Sequence, residues 1–94
     1  MNDGQFQWDD AKAAANDAKH GVAFYAARGI FKDPFSIEQI DDRDNYGEER
    51  FAITGMVSGR TLVVVYTMRG EAIRIITARG AEPYEQREYY EHNN

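Results

Sequence analysis

The stretch Arg60–Arg79, RTLVVVYTMRGEAIRIITAR, constrains this chain more than any other. Thr61–Met68 is dense in Val, Leu, Tyr and Thr, whose branched and aromatic side chains suit a pleated, half-buried strand. Arg69-Gly70-Glu71 interrupts it with turn chemistry, and Ala72–Ala78 resumes strand character. The pattern predicts a β-hairpin. From Arg50 to Gly80 there are five arginines (Arg50, Arg60, Arg69, Arg74, Arg79) and one acid, Glu71, within a chain of net charge −5. Phosphate binding depends on local positive potential, for which net charge is a poor proxy. The segment is therefore a candidate nucleic-acid surface in an acidic protein. The alternative is a solvated sheet face whose arginines pair weakly with Glu48, Glu49 or Glu71.

A chain of 94 residues that is 43% hydrophobic suits one domain, residues 1–94, with a thin core. The absence of cysteine excludes a disulfide framework, a thiol nucleophile and a cysteine-ligated metal, and fits a cytoplasmic protein. MNDGQFQWDD has no positive patch followed by an apolar run, so it does not read as a signal peptide. No apolar run approaches the roughly 20 residues of a membrane span. His20 and His92 are far apart, and no zinc spacing, Walker loop or GxGxxG occurs, so neither metal nor cofactor is expected. Asp41–Gly47 is acidic, but it lacks a calcium loop's Gly at the sixth place and acid at the twelfth. It reads as a solvated loop.

Taken in order, Phe6-Gln7-Trp8 alternates as a short edge strand would. Asp9 is an N-cap for a helix running to Lys19, with His20 in its last turn and Gly21 as the terminator. Val22–Phe31 carries apolar spacings of a second helix, with Gly29 and then Asp33-Pro34 as breakers. Ser36–Ile40 and Glu49–Val57 read as strands preceding the hairpin. Ala81–Glu91 is helical with Pro83 in its first turn, and it either packs on the hairpin or stands free as a partner surface. His92-Asn93-Asn94 is expected to fray. The fold class is α+β, with two N-terminal helices, a four-stranded antiparallel sheet and a C-terminal helix. Strict alternation puts Arg74 and Arg79 on opposite faces. Arg69 is then expected at the turn and the other arginines around an edge or strand end, close to Glu48 and with His20 as a further neighbour, forming a localised cleft.

Three sets of residues together resemble the BrnT-type toxins of type II toxin–antitoxin modules. The first is Phe6-x-Trp8-Asp9-x-x-Lys12-x-x-x-Asn16-x-x-Lys19-His20-Gly21-Val22-x-Phe24-x-x-Ala27. The second is Gly47-Glu48-x-Arg50 with Gly55 and Gly59-Arg60-x-Leu62. The third is Val64-Val65-Tyr66-Thr67-x-Arg69-Gly70-x-x-x-Arg74-Ile75-Ile76-Thr77-Ala78-Arg79-x-Ala81, then Glu85 and Tyr89. Departures are mild: Thr77 stands where Ser is common, and the segment around Tyr25 is less acidic than usual. The resemblance implies a RelE-like fold and a toxin that inhibits translation by cleaving RNA. It also implies neutralisation by a BrnA-type antitoxin that carries the DNA-binding domain. The paired complex would repress its own operon, so DNA is reached only through the antitoxin.

Metal-free RNA cleavage needs a group that removes the 2′-hydroxyl proton, donors that stabilise the charged phosphorane, and an acid for the leaving 5′-oxygen. Arginine suits the second task, because its fork donates two hydrogen bonds to phosphate and stays charged. Arg69, Arg74 and Arg79 lead as catalytic candidates, with Arg50 and Arg60 as RNA-binding ones. Acid–base candidates are His20, Glu48, Glu49 and Tyr66. His20 titrates nearest neutrality but also serves as a helix-end cation. Glu48 precedes the Arg50 strand but is equally a loop carboxylate. Tyr66 can donate a proton, stack on a base, or be core. Trp8 is assigned to the core. The rival function is a non-catalytic protein-interaction module that uses the arginine-rich sheet.

Overall fold

The computed structural model describes residues 1–93. The elements are β1 (Phe6–Gln7), α1 (Asp10–His20), α2 (Phe24–Ala27) running into a 3-10 helix (Arg28–Lys32), β2 (Ile37–Ile40), β3 (Phe51–Val57), β4 (Arg60–Arg69), β5 (Ala72–Gly80) and α3 (Pro83–His92). The strands form one sheet in the order β1-β5-β4-β3-β2. β2 to β5 are antiparallel neighbours, while β1 pairs parallel to β5. The sheet is thus five-stranded and mixed, not four-stranded and antiparallel. Alternation in Phe6-Gln7-Trp8 marked the extra strand. Its partner and direction depend on where the chain returns, which no local pattern encodes.

The first helix forms as its caps dictate. Asp9 accepts from the Lys12 N–H at 2.9 Å, and Gly21, at φ 66°, donates to the Asp17 carbonyl at 2.8 Å. Asn16 is the one buried residue of α1. Its amide nitrogen donates to the carbonyls of Val22 and Ala78 at 3.0 and 2.8 Å, and its oxygen accepts from the Ala78 N–H at 3.2 Å. Beyond the end of β1, a side chain thus does for the β5 edge what another strand would do.

The second helix differs from expectation, because one α-turn passes into 3-10 geometry. Phe24, Ala27 and Ile30 are buried at a spacing of three. A three-residue turn keeps such a row in register, whereas a 3.6-residue turn rotates it off the core. The row packs close to β3. A Cβ at Gly55 would stand 2.8 Å from Ile30 Cγ1, so only glycine admits this approach. Trp8 meets Phe24 edge-on at 5.8 Å, and Tyr66 lies between Phe31 (5.0 Å) and Phe51 (5.3 Å).

One irregularity sets the faces of the sheet. Val65 pairs with Thr77 and Tyr66 pairs with Ile75, so Ile76 is an unmatched bulge residue. Below the bulge, Ile73 and Ile75 join the helix-covered face that also takes Ala78. Arg74, paired with Thr67, joins the same face as Thr77 and Arg79. The expectation that Arg74 and Arg79 diverge assumed unbroken alternation, and the bulge reverses it.

α3 does not pack on the hairpin alone. Tyr89, its one buried residue, donates from its hydroxyl to Asp33 Oδ2 at 2.6 Å, and the same oxygen accepts from the Met56 N–H at 2.7 Å. Asn93 donates to the Phe35 carbonyl at 2.9 Å, which ties down a residue expected to fray. Asn94, in the same expectation, lies outside the described residues. Among the described residues no helix is long and apolar enough to cross a membrane.

Candidate nucleic-acid interface

The sheet face away from α2 carries two adjoining depressions of opposite charge, both bordered by α1 along the β5 edge. At the hairpin end, a cleft of about 110 Å³ is lined by Lys12, Arg50, Arg69 and Arg74 together with Asp9 and Glu48. Four cations face two carboxylates there, and Asp9 is already engaged as the α1 cap. Glu48 sits between two arginines: its Oε2 accepts from Arg50 Nε at 3.3 Å and its Oε1 from Arg69 Nη2 at 2.9 Å. Arg74 is held by Gln7 of the neighbouring β1, whose side-chain oxygen accepts from Nη1 at 3.0 Å. Arg50 lies over the Tyr46 ring at 4.0 Å. Thr67, paired with Arg74, donates to the Glu49 carbonyl at 2.7 Å and fixes the segment carrying Glu48 against β4.

Further along β4 the same face opens into a groove of about 560 Å³. Its floor is Ala52, Thr54, Val63, Val65 and Thr77, small or β-branched side chains that leave the space empty. One wall is α3, through Tyr84, Glu85 and Glu88, and the other is the loop Asp41-Asp42-Arg43. Arg79 is fixed there by Glu85, with Nη1 and Nη2 donating to the two carboxylate oxygens at 2.7 and 2.9 Å. These hydrogen bonds raise the Arg79 pKa, and Arg79 in turn holds the Glu85 carboxyl below the usual range. Arg43 donates through Nε and Nη2 to the Asp41 carboxylate at 2.7 and 2.9 Å, which lowers the Asp41 pKa.

The candidate residues are therefore divided. Arg50, Arg69, Arg74 and Glu48 come together in the cleft, while Arg79 and His20 line the groove. Arg60 belongs to neither. Its Nη2 lies where a Cβ on Gly80 would be 2.8 Å away, beside a shallow recess with Val57 and Leu62. Tyr66 is on the helix-covered face and only 8% exposed, and its hydroxyl donates to Glu38. Burial and that bond push its pKa up, and the ring is enclosed by other aromatics, so the base-stacking reading does not fit. Glu49 does not line the cleft; its backbone carbonyl accepts from the Thr67 hydroxyl. The arginine pairing also differs from expectation at Arg79, which takes Glu85 and not Glu48, Glu49 or Glu71.

Lys12 and Arg43 line the two depressions, although the sequence did not single them out as site candidates. Lys12 sits on a helix that reads as structural, although its spacing from the Asp9 cap places it one turn in, over the cleft. Arg43 was masked by the acids around it in sequence.

A family model described as the ribonuclease toxin BrnT of type II toxin–antitoxin systems matches residues 8–85. The chain belongs to the BrnT family. The match runs from Trp8, just after β1, through Glu85, the partner of Arg79, so it takes in every lining residue of the cleft. A search of curated proteins finds no match to set beside it. This BrnT chain is thus an α+β ribonuclease-toxin family member of a type II system, which implies an antitoxin partner.

Proposed function

We propose that this protein is a metal-independent endoribonuclease that cuts RNA by attack of its own 2′-hydroxyl, and that the cationic cleft holds the scissile phosphate. One observation carries the reading: a carboxylate, Glu48, is bracketed by Arg50 and Arg69 in a cleft shared with Arg74 and Lys12. That set supplies all three functions the reaction needs. Glu48 takes the 2′-hydroxyl proton as the 2′-oxygen attacks phosphorus. The guanidinium groups of Arg50, Arg69 and Arg74 donate to the non-bridging oxygens, where charge builds up. The Lys12 ammonium gives a proton to the 5′-oxygen as its bond to phosphorus breaks. The products are a 2′,3′-cyclic phosphate and a free 5′-hydroxyl.

The antitoxin is of the BrnA type in this reading, the cell compartment is the cytoplasm, and translation stops because its RNA is cut. Purified protein incubated with RNA in EDTA is expected to give fragments with cyclic-phosphate ends. Intact RNA at high concentrations of folded protein would overturn the assignment. Arginine binding to a protein partner, with no chemistry, would then be left as the role of the cleft.

A further inference from the structure

The groove next to the cleft is built for something other than phosphate. Against Arg43 and Arg79 it sets Asp41, Asp42, Glu85 and Glu88, so carboxylates outnumber guanidiniums. Asp41 and Glu85 are spent on the two arginines, while Asp42 and Glu88 make no ion pair among the described residues. A phosphate would meet repulsion there. The volumes divide in the same way. About 110 Å³ at the cleft suits one phosphate group, whereas about 560 Å³ falls within the range of small-ligand pockets. The two are stations on one sheet face, reached by stepping along β4 from Thr67 to Val65 to Val63 at roughly 7 Å per same-face step.

We propose that the groove is the base-specificity subsite of the ribonuclease and that it selects guanine; this rests on reading the cleft as the phosphate site. The choice of base follows from the donors and acceptors on the walls. Unpaired carboxylates accept from adjacent N–H groups. Arginine held on one side by a carboxylate still offers its remaining N–H groups, as Arg43 does with Nη1 while Nε and Nη2 engage Asp41. Guanine alone presents both complements: N1–H and N2–H side by side for a carboxylate, and O6 with N7 side by side for a guanidinium. Uracil and cytosine offer too few donors, and adenine lacks the paired acceptors. Tyr84, 57% exposed on the α3 wall, gives the ring a surface to stack on. The low floor of Ala52, Thr54 and Thr77 leaves room for a flat base.

The test is titration of the folded protein with guanosine, adenosine, cytidine and uridine 3′-monophosphates, followed by amide and side-chain NMR shifts. Guanosine 3′-monophosphate is expected to bind about tenfold more tightly than the others, with shifts on Thr77 and Glu88. The preference should vanish in the Asp42→Asn, Glu88→Gln double variant, while Arg74→Ala weakens all four nucleotides alike. Equal binding of the four overturns the guanine subsite and leaves the ribonuclease reading standing. RNA cleavage with no base preference at the cut does the same. Groove shifts produced by an arginine-rich peptide and by no nucleotide would assign the groove to a basic protein segment and overturn the proposal. Failure of both nucleotide binding and cleavage removes both readings together.

Discussion

Arg74 and Arg79 stand on the same face of β5 although they are five positions apart, an odd offset that alternation would split between faces, because Ile76 is bulged out between Ile75 and Thr77. The bulge has two effects at once. It keeps Ile73 and Ile75 on the core face with Ala78, and it brings Arg74 to the open face beside Thr67. A regular strand would satisfy only one of these demands on each side of the break.

Deleting Ile76 removes the unmatched residue and leaves Ile75 and Thr77 as consecutive partners of Tyr66 and Val65, so both halves of β5 keep their faces. The deletion variant is therefore expected to fold, with a loss of no more than about 1–3 kcal/mol by denaturant unfolding, and to retain RNA cleavage. A folded variant without cleavage would show that the local twist of the bulge, and not the shared face alone, positions the two arginines.

Glu48→Gln and Arg74→Ala separate chemistry from folding. Both residues lie in a partly solvated surface network, so each substitution should change stability by less than about 1 kcal/mol. Cleavage should fall by about 10²–10³-fold in Arg74→Ala, the usual loss of a charged donor to a transition state. Arg74→Lys retains the charge but not the fork held by Gln7, and it should recover only part of the loss. Single-turnover cleavage beside thermal melts checks all three.

Asn16 is a stability residue. Asn16→Ala strips partners from the Ala78 N–H and C=O and from the Val22 carbonyl, all buried. A loss of about 2–4 kcal/mol is expected by denaturant unfolding. Asn16→Asp should be worse near neutral pH than in acid, because an ionised carboxylate would face two carbonyls with no donor to give. A melt series across pH decides it.

Asp33 sets an acid limb of stability. Burial alone would raise its pKa, but hydrogen bonds from the Tyr89 hydroxyl and from the Met56 and Phe35 N–H groups bring it below the ordinary value of 3.8. With the folded value depressed, ionised Asp33 contributes its full stabilisation above the unfolded pKa. That contribution is lost as pH falls through the lower folded pKa. Asp33→Asn should therefore melt below the wild type at neutral pH, with the gap closing in acid below about pH 3.8. The Tyr89 hydroxyl, pushed up to about 12 by burial first and then by Asp33, stays protonated as a donor throughout. Tm measured against pH in both proteins tests the sign.

Much of this protein was legible in the chain because its signals are local. Asp9 and Gly21 bound a helix through their own side chain and backbone, and the hairpin announced itself by its strand-forming residues and Gly70 turn. The β3-β4-β5 meander followed from its short turns. A gathering of arginines near Glu48 was expected, and Arg50, Arg69 and Arg74 meet there, whereas Arg79 and His20, expected with them, line the groove instead. What only the tertiary structure decided was longer in range. β1 could find β5 only after the whole sheet existed, and Asn16 could cap Ala78 only across that distance. The Ile76 bulge has no signature in a run as uniform as Ala72–Ala78, because it is chosen by which isoleucines the core accepts. Tyr66 illustrates the limit in a single residue: its parity with Leu62 and Val64 placed it on one face, but which face the helices would cover was a fact about packing.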